Sequence, residues 1–154
     1  GHGIPTFQSV LDCARVAKKA KIIADGGIRT SGDIVKALAA GADFVMLGSM
    51  LSGTTETPGS ITVEGDKEYK LYRGMASKEA QVDWRGSYSV SEGISTKVEY
   101  KGNVFSILDD IEGGIKSGLS YSGAKNLMEL QAYARFIRQT SQGMRESNTH
   151  ILYR

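Results

Sequence analysis

The sequence has 154 residues, 40% of them hydrophobic, which is enough for one ordinary hydrophobic core. Because 19 basic residues nearly balance 17 acidic ones and no basic run is interleaved with aromatic residues, nucleic acid is not an expected partner. The single cysteine, Cys13, excludes an internal disulfide framework and favours a reducing, cytoplasmic location. No apolar stretch approaches the roughly 20 residues of a membrane helix, so we expect no membrane partner either.

Helices and strands alternate through the first 50 residues. Helical spacing of apolar residues predicts a helix over residues 6–20, and the apolar run at 21–27 predicts a strand buried on both faces. Ser31 is predicted to cap a second helix that ends at Gly41, and residues 43–49 predict a second buried strand. This order indicates parallel strands joined by right-handed crossovers, and therefore an α/β fold.

The pattern changes after residue 59. Residues 60–73 predict a β-hairpin that turns at 64–67, residues 76–93 are polar and irregular, and residues 95–101 predict a short strand.

Two helices are predicted in the last third of the chain. The first begins after Asn103, reaches about Lys116 and turns an acidic face to solvent, and the second runs over about 122–138. The polar tail at 139–154 is predicted to be extended or mobile. The acidic residues of the solvent face are Asp109, Asp110 and Glu112.

Two strand–helix units cannot close a barrel, which takes eight strands and about 250 residues. An open parallel sheet of this size would expose its edges and a large apolar face. We therefore expect residues 1–154 to need an N-terminal half in order to fold.

Glycine-rich segments follow the predicted strands. They occupy residues 25–27, 48–49 and 72–75. Ligands of α/β proteins lie beyond the carboxyl ends of the strands, where bare backbone amides can bind an anion. Asp25, at a strand tip, is suited to accept both hydroxyls of a ribose. Each segment alone is more typical of a tight turn, but the three together favour a phosphate site.

A longer motif carries a specific resemblance. The string IIADGGIRTSGDIVKALAAGADFVMLGSML, followed by Glu-x-Pro-Gly and Tyr-Arg-Gly-Met, resembles the GMP reductase/IMP dehydrogenase family over essentially the whole chain. The resemblance implies a (β/α)8 TIM barrel and a homotetramer. Residues 1–154 would form the C-terminal portion of the single catalytic domain, with a hairpin and flap insertion over about 52–101 after the last strand, and C-terminal helices.

The same resemblance assigns roles to individual residues. Asp25 would hold the ribose hydroxyls, and Glu92 would bind the N1 side of the purine and assist ammonia departure as a general acid or base. The 5′-phosphate and its surroundings would be contacted by Gly26, Gly27, Gly48, Ser49 and Tyr72. The purine edge would meet the backbone of Gly74 and Met75, with Ser91 and Gly93 flanking Glu92.

The nucleophile of the family is a loop cysteine that forms a thioimidate with purine C2, while hydride is exchanged with a nicotinamide. By position it lies upstream of residues 1–5, outside this chain, so these residues alone should not catalyse turnover. Cys13 is interpreted as an inert, buried residue on the apolar face of the first helix.

The flap favours the reductase. It has Arg85 and Tyr88 but no adjacent Arg-Tyr pair, which is what the dehydrogenases use to activate water. The predicted activity is therefore NADPH-dependent reductive deamination of GMP to IMP and ammonia. Trp84, in the same segment, either covers the substrate and nicotinamide or anchors the flap.

Other features resemble the dehydrogenases. GSMLSGTTETPG is dehydrogenase-like, and Glu146 with Ser147 resembles the tail that helps a neighbouring subunit bind K⁺. Ser89 stands where the reductases have an arginine. IMP dehydrogenase, which converts IMP to XMP with NAD, is therefore the alternative. A non-catalytic nucleotide-binding half-barrel and a flavin-dependent phosphate-binding barrel are the further alternatives.

Overall fold

The computed structural model describes residues 2–90 and 93–147. Its first part contains α1 (Thr6–Val16), β1 (Ile23–Asp25), α2 (Ser31–Ala39) and β2 (Phe44–Met46). The strands β1 and β2 pair in parallel, with Asp25 opposite Met46, which confirms the predicted parallel sheet.

The helices cover one face of this sheet. Ala24 is 1% exposed on the covered face, whereas Ile23, Phe44 and Met46 are 53%, 58% and 51% exposed. The prediction of strands buried on both faces is therefore wrong for this chain, because helices lie on one side only. In a closed barrel the other side faces the interior, where side chains from the remaining strands fill it. The core beneath the helices consists of Val10, Ala24, Ile28, Ile34, Ala37, Ala40, Ala42 and Ile111.

An ion pair joins the beginnings of the two parallel strands. Asp43 accepts hydrogen bonds from the Lys21 ammonium at 2.7 Å and from the Ile22 amide at 2.9 Å. The hydrogen bond from Lys21, followed by that from the Ile22 amide, lowers the pKa of Asp43 from its ordinary value.

The second part is an antiparallel sheet of β3 (Ile61–Glu64), β4 (Lys67–Arg73) and β5 (Ser95–Glu99), with β4 in the centre. The hairpin of β3 and β4 and the separate strand β5 confirm the predicted elements.

The polar segment between β4 and β5 is predicted to be irregular, and this prediction is wrong for part of it. It contains α3 (Lys78–Arg85). The Ser77 hydroxyl accepts from the Ala80 amide at 3.3 Å and caps the helix, and Gly86 ends it at φ 71°.

The last helices are α4 (Val104–Tyr121), α5 (Leu127–Tyr133) and α6 (Ser141–Glu146). The Asn103 side chain accepts from the Phe105 amide at 2.8 Å, as a cap should, but α4 continues well beyond Lys116. Gly118 lies within α4, and a Cβ at this position would lie 2.6 Å from Cγ2 of Val35. This glycine lets α4 pack closely on α2.

Several predicted boundaries move. The helix α1 ends at Val16, and the helix predicted over 122–138 is confined to α5. The cap of α2 is Thr30, whose hydroxyl accepts from the Asp33 amide at 3.2 Å, so the assignment of the cap to Ser31 is wrong. Part of the tail predicted to be extended is α6, and residues 148–154 lie outside the described residues. Among residues 2–90 and 93–147, no helix has the length and apolar character to span a bilayer.

Candidate functional site

Asp25 is the last residue of β1, and its side chain is exposed. Because successive side chains of a strand alternate, Asp25 points away from the helices that bury Ala24. Gly26 and Gly27 follow with φ of 94° and 77°, in the left-handed region that favours glycine. Their amides donate to no acceptor in the part of the chain that is described, so both are available to a ligand.

The loop after Gly27 is held by α2. Asp33 accepts from the Arg29 amide at 3.2 Å and from the Lys36 ammonium at 2.9 Å. Burial raises the pKa of Asp33, but the hydrogen bonds from Lys36 and the Arg29 amide outweigh it, so the pKa is lowered overall. The Gly26–Gly27 turn is thereby attached to a helix of the core.

A helix-like turn follows β2. The Leu51 amide donates to Gly48 O at 3.0 Å, and the Ser52 amide donates to Ser49 O at 3.3 Å. The amides of Gly48, Ser49 and Met50 open this turn and have no acceptor among residues 2–90 and 93–147. Unpaired amides at the start of a helical turn carry a partial positive charge and bind anions.

The predicted phosphate residues come from three separate segments. The parallel pairing of Asp25 with Met46 puts the Gly26–Gly27 and Gly48–Ser49 turns at neighbouring strand ends. Tyr72 approaches from the antiparallel sheet, and a Cβ on Gly48 would lie 3.9 Å from its hydroxyl. The structure therefore brings Tyr72 to the second turn.

A cavity of about 700 Å³ opens between the Gly48 turn and β4. Tyr72, Met75 and Trp84 contribute to its wall. Trp84 is 60% exposed, and the Arg85 guanidinium stacks 4.3 Å from the centre of its ring. Asp25 does not line this cavity; it lines a smaller one, which also includes Cys13.

Gly74 and Met75 lie against the returning end of the flap. The Gly74 amide donates to Ile94 O at 3.1 Å, and the Gly93 amide donates to Ala76 O at 3.0 Å. Only glycine fits at residue 93, because a Cβ there would lie 2.5 Å from the Ser77 nitrogen. The predicted residues Ser91 and Glu92 lie outside the described residues, directly before this contact.

The flap helix α3 is tied to its surroundings by side chains. Gln81 is 8% exposed, and its amide nitrogen donates to Ala76 O and Val90 O, each at 3.0 Å. A hydrogen bond from the Ser95 hydroxyl lowers the pKa of Glu79 and joins α3 to β5. These bonds join α3 to residues before and after it in the segment between β4 and β5.

Arg85 and Tyr88 engage different partners. Arg85 stacks on Trp84, whereas the Tyr88 ring lies 4.6 Å from the Lys78 ammonium. Among the described residues, no hydrogen bond or cation–π contact joins Arg85 to Tyr88.

The remaining predicted residues lie elsewhere. Glu146 ends α6, and the Ser147 hydroxyl donates to Gly143 O at 2.8 Å. Cys13 is exposed and lines the open cavity beside β1, so its interpretation as a buried residue is wrong for this chain.

Sequence reasoning missed two lysines that donate to the loop after β2. Lys101 donates to Ser49 O and Met50 O, both at 3.3 Å. Lys70 is 4% exposed and donates to the carbonyls of a neighbouring stretch, Thr54 to Thr57. No local motif identifies either lysine, since their acceptors are 13 or more residues away.

Parallel strands with helices on one face and glycine turns at their carboxyl ends are typical of part of an α/β barrel. Proteins of this class bind their ligands at the strand tips. A family profile described as "IMP dehydrogenase / GMP reductase domain" matches residues 1–150. The chain belongs to this family.

Similar proteins carry both names of the family. The chain is 46% identical to a GMP reductase of Leishmania major, covering 97% of this chain and 33% of that protein. It is 45% identical to an inosine-5′-monophosphate dehydrogenase of Nitrosopumilus maritimus, covering 97% and 34%. A crystal structure of a GMP reductase variant from Trypanosoma brucei, in complex with guanosine 5′-monophosphate, matches with a TM-score of 0.89 and 47% identity, covering 97% of this chain and 32% of that chain. The chain thus spans about a third of the length of these relatives, and its fold is that of the corresponding part of the barrel.

Proposed function

We propose that the complete protein is a purine-nucleotide oxidoreductase that converts GMP to IMP and ammonia with NADPH. The observation that carries the proposal is the set of unpaired amides at Gly48 and Ser49, with the Tyr72 hydroxyl beside them. A mononucleotide phosphate matches this set because it accepts several hydrogen bonds and is anionic. The similarity to a GMP reductase solved with GMP supports the same substrate.

The residues of this chain bind and orient the nucleotide. The Gly26–Gly27 and Gly48–Ser49 turns hold the phosphate with the Tyr72 hydroxyl, and the exposed Asp25 carboxylate accepts from the ribose hydroxyls. Gly74 and Met75 present their backbone to the purine, next to the segment that carries Ser91, Glu92 and Gly93.

Residue 92 is the proton-transfer group of the proposal. In the overall reaction GMP, NADPH and two protons yield IMP, NADP⁺ and ammonium, so a group near purine C2 must deliver a proton to the departing amine. Glu92, which precedes the Gly93 contact with Ala76, has the required chemistry. The nicotinamide supplies the hydride, and the nucleophilic cysteine belongs to the part of the barrel upstream of this chain.

The flap favours the reductase over the dehydrogenase. A dehydrogenase has to hydrolyse the thioimidate and needs a group that activates water. Arg85 and Tyr88 are engaged with Trp84 and Lys78 and do not form such a pair. Reductive release of ammonia requires no attacking water.

The IMP dehydrogenase reading has specific support and is the second candidate. A dehydrogenase relative is 45% identical over the same share of the chain, and Ser89 replaces an arginine expected in the reductases. The proposal has further parts. The enzyme prefers NADPH over NAD, binds K⁺ near Glu146 and Ser147, and forms a homotetramer in the cytoplasm. Its single catalytic domain has an insertion at 52–101. A non-catalytic half-barrel is the outcome if neither reaction occurs.

Two parallel assays test the function on the complete protein. One contains GMP and NADPH, the other IMP and NAD, and both are followed by nicotinamide absorbance and by product chromatography. Loss of NADPH with release of ammonia and IMP in the first assay alone supports the reductase. Formation of NADH and XMP in the second alone reverses the proposal, and inactivity in both with retained GMP binding leaves the binding module.

A further inference from the structure

Lys70, in the middle of β4, is a buried charge that the site above does not use. Its ammonium donates to Thr54 O at 3.0 Å, to Thr55 O at 3.2 Å and to Thr57 O at 2.6 Å. The residue is 4% exposed, and none of the ion pairs within residues 2–90 and 93–147 includes it. Its charge is therefore balanced by backbone carbonyl dipoles.

The carbonyl cluster and the ammonium depend on each other. A lysine ammonium has three donors and no acceptor, so three converging carbonyls satisfy it completely. Without it, the carbonyls of Thr55 and Thr57 would lose the one donor that they have among the described residues, whereas Thr54 O would keep the Thr57 amide and hydroxyl. The conformation of residues 54–57 is consequently set by a side chain of β4.

The same strand meets both ends of the loop that follows β2. Lys70 and Tyr72 are two residues apart on β4, so their side chains leave the same face of the strand. Tyr72 reaches the beginning of the loop at Gly48, and Lys70 holds its far end at Thr54 and Thr57. The hydrogen bonds from Lys70 thus hold the far end of the loop on the strand whose Tyr72 hydroxyl lies near the Gly48 turn.

We propose that Lys70 is a positioning residue for the phosphate of the nucleotide. It holds the loop at 48–57 on β4, so that the amides of Gly48 and Ser49 and the Tyr72 hydroxyl converge on one anion. The inference rests on the proposed nucleotide site and adds a residue that does not itself contact the ligand. Its effect should therefore appear in phosphate recognition and not in recognition of the base or the sugar.

The test compares GMP with guanosine on the complete protein. Lys70→Met keeps an unbranched side chain that is one atom shorter and removes the charge and all three donors. We expect the ratio of guanosine to GMP dissociation constants to fall by about tenfold or more, since misplacing even one charge-assisted hydrogen bond has that effect. The KM for GMP should rise by a similar factor, with a smaller change in kcat.

Lys97→Met is the matched control. Lys97 lies on β5 of the same sheet, is 53% exposed at its side chain and pairs with Glu64 at the surface. Lys97→Met removes the same charge without touching the loop, so the ratio of guanosine to GMP dissociation constants should stay at the wild-type value.

The outcomes separate this inference from the proposed function. A wild-type protein that binds guanosine as tightly as GMP overturns the phosphate site, and the role of Lys70 with it. A wild-type preference for GMP that Lys70→Met leaves unchanged overturns only the role of Lys70, as does an equal loss of affinity for both ligands.

Lys70→Ala covers the case in which the methionine variant does not fold. Propylammonium has the atoms that this substitution removes, and adding it during purification and assay should restore the preference for GMP. Tetramethylammonium at the same concentration has no N–H donor and should not. Folded Lys70→Ala that propylammonium fails to rescue, or that keeps its preference without any amine, contradicts the proposal.

Discussion

Replacing Asp25 with asparagine changes the proposed ribose contact with little change in shape. Asp25 ends β1, and its exposed carboxylate faces away from the helices, so the substitution disturbs no core packing. A hydrogen bond to a charged acceptor contributes about 1.5–3 kcal/mol, and about 1.4 kcal/mol corresponds to a tenfold change. We therefore expect the dissociation constant for GMP to rise by about 10- to 150-fold.

A ligand lacking the hydroxyls locates the lost interaction. For 2′,3′-dideoxy-GMP, which has no hydroxyl to donate, wild type and Asp25→Asn should bind with nearly equal affinity. Isothermal titration calorimetry on the complete protein measures all four combinations of protein and ligand. Their double-mutant cycle isolates the coupling between the carboxylate and the sugar.

Asp12→Asn is the control for loss of a negative charge. Asp12 lies on the exposed side of α1, where it pairs with Arg15 at 3.4 Å. Exposed pairs of this kind contribute little, so GMP affinity should not change. If Asp25→Asn weakens GMP and dideoxy-GMP equally, or weakens neither, the ribose assignment is refuted.

Two further predictions concern stability. Gly114→Ala should lower the melting temperature, although alanine favours helices, because a Cβ at Gly114 would lie 2.4 Å from the Ser31 Cβ. At the adjacent residue 113 a Cβ would meet nothing within 4 Å, so Gly113→Ala should raise the free energy of unfolding by about 0.5–1 kcal/mol. Equal effects of the two in thermal melts would contradict close packing of α4 on α2. Asp43→Asn should make the melting temperature depend less on pH in acid. The pKa of Asp43 is lowered in the folded state. Its contribution to stability is therefore present above the unfolded pKa of about 4 and is lost as pH falls through the lower folded pKa. Melting temperatures that fall with acid as steeply in the variant as in wild type would argue against this ion pair.

The parallel part of the fold was predictable because its signals are local. Apolar runs, caps and glycines placed α1, β1, α2 and β2 in the right order, and the order alone implied parallel pairing. The same reasoning could not foresee that Ile23 and Phe44 would be exposed, because burial depends on what covers the second face of the sheet.

The errors arose where a local signal had a tertiary cause. The helix that begins after Asn103 is predicted to reach about Lys116, but α4 continues to Tyr121, and the missing Cβ of Gly118 makes room for Val35 of α2. The helix α3 had readable signals, a cap at Ser77 and an end at Gly86, yet its polar composition concealed them.

The candidate site was predictable to the extent that motifs mark strand ends. Asp25 and Gly48 lie at adjacent strand tips, as the motif implied, and Tyr72 reaches Gly48 from a different sheet. Lys70 could not be found in this way, because its acceptors are backbone carbonyls, which have no sequence signature.

Hydrogen bonds join the antiparallel insertion to the loop that begins with the Gly48–Ser49 turn. Lys70 of β4 donates to the far end of the loop at Thr54, and Lys101, just after β5, donates to Ser49 O and Met50 O of the turn itself. The central strand β4 and the residue Lys101 after β5 therefore both contribute hydrogen bonds to the loop that carries the proposed phosphate amides.

The flap is attached to the same two strands. Glu79 of α3 accepts from Ser95 at the start of β5, and Asp83 of α3 pairs with Arg73 at the end of β4. A chain of contacts therefore links α3 through β4 and β5 to the loop after β2. The proposed nucleotide site and the flap share one scaffold in this arrangement. For that reason we expect substitutions in α3 to alter the KM of the complete protein for nucleotide even where they touch no ligand.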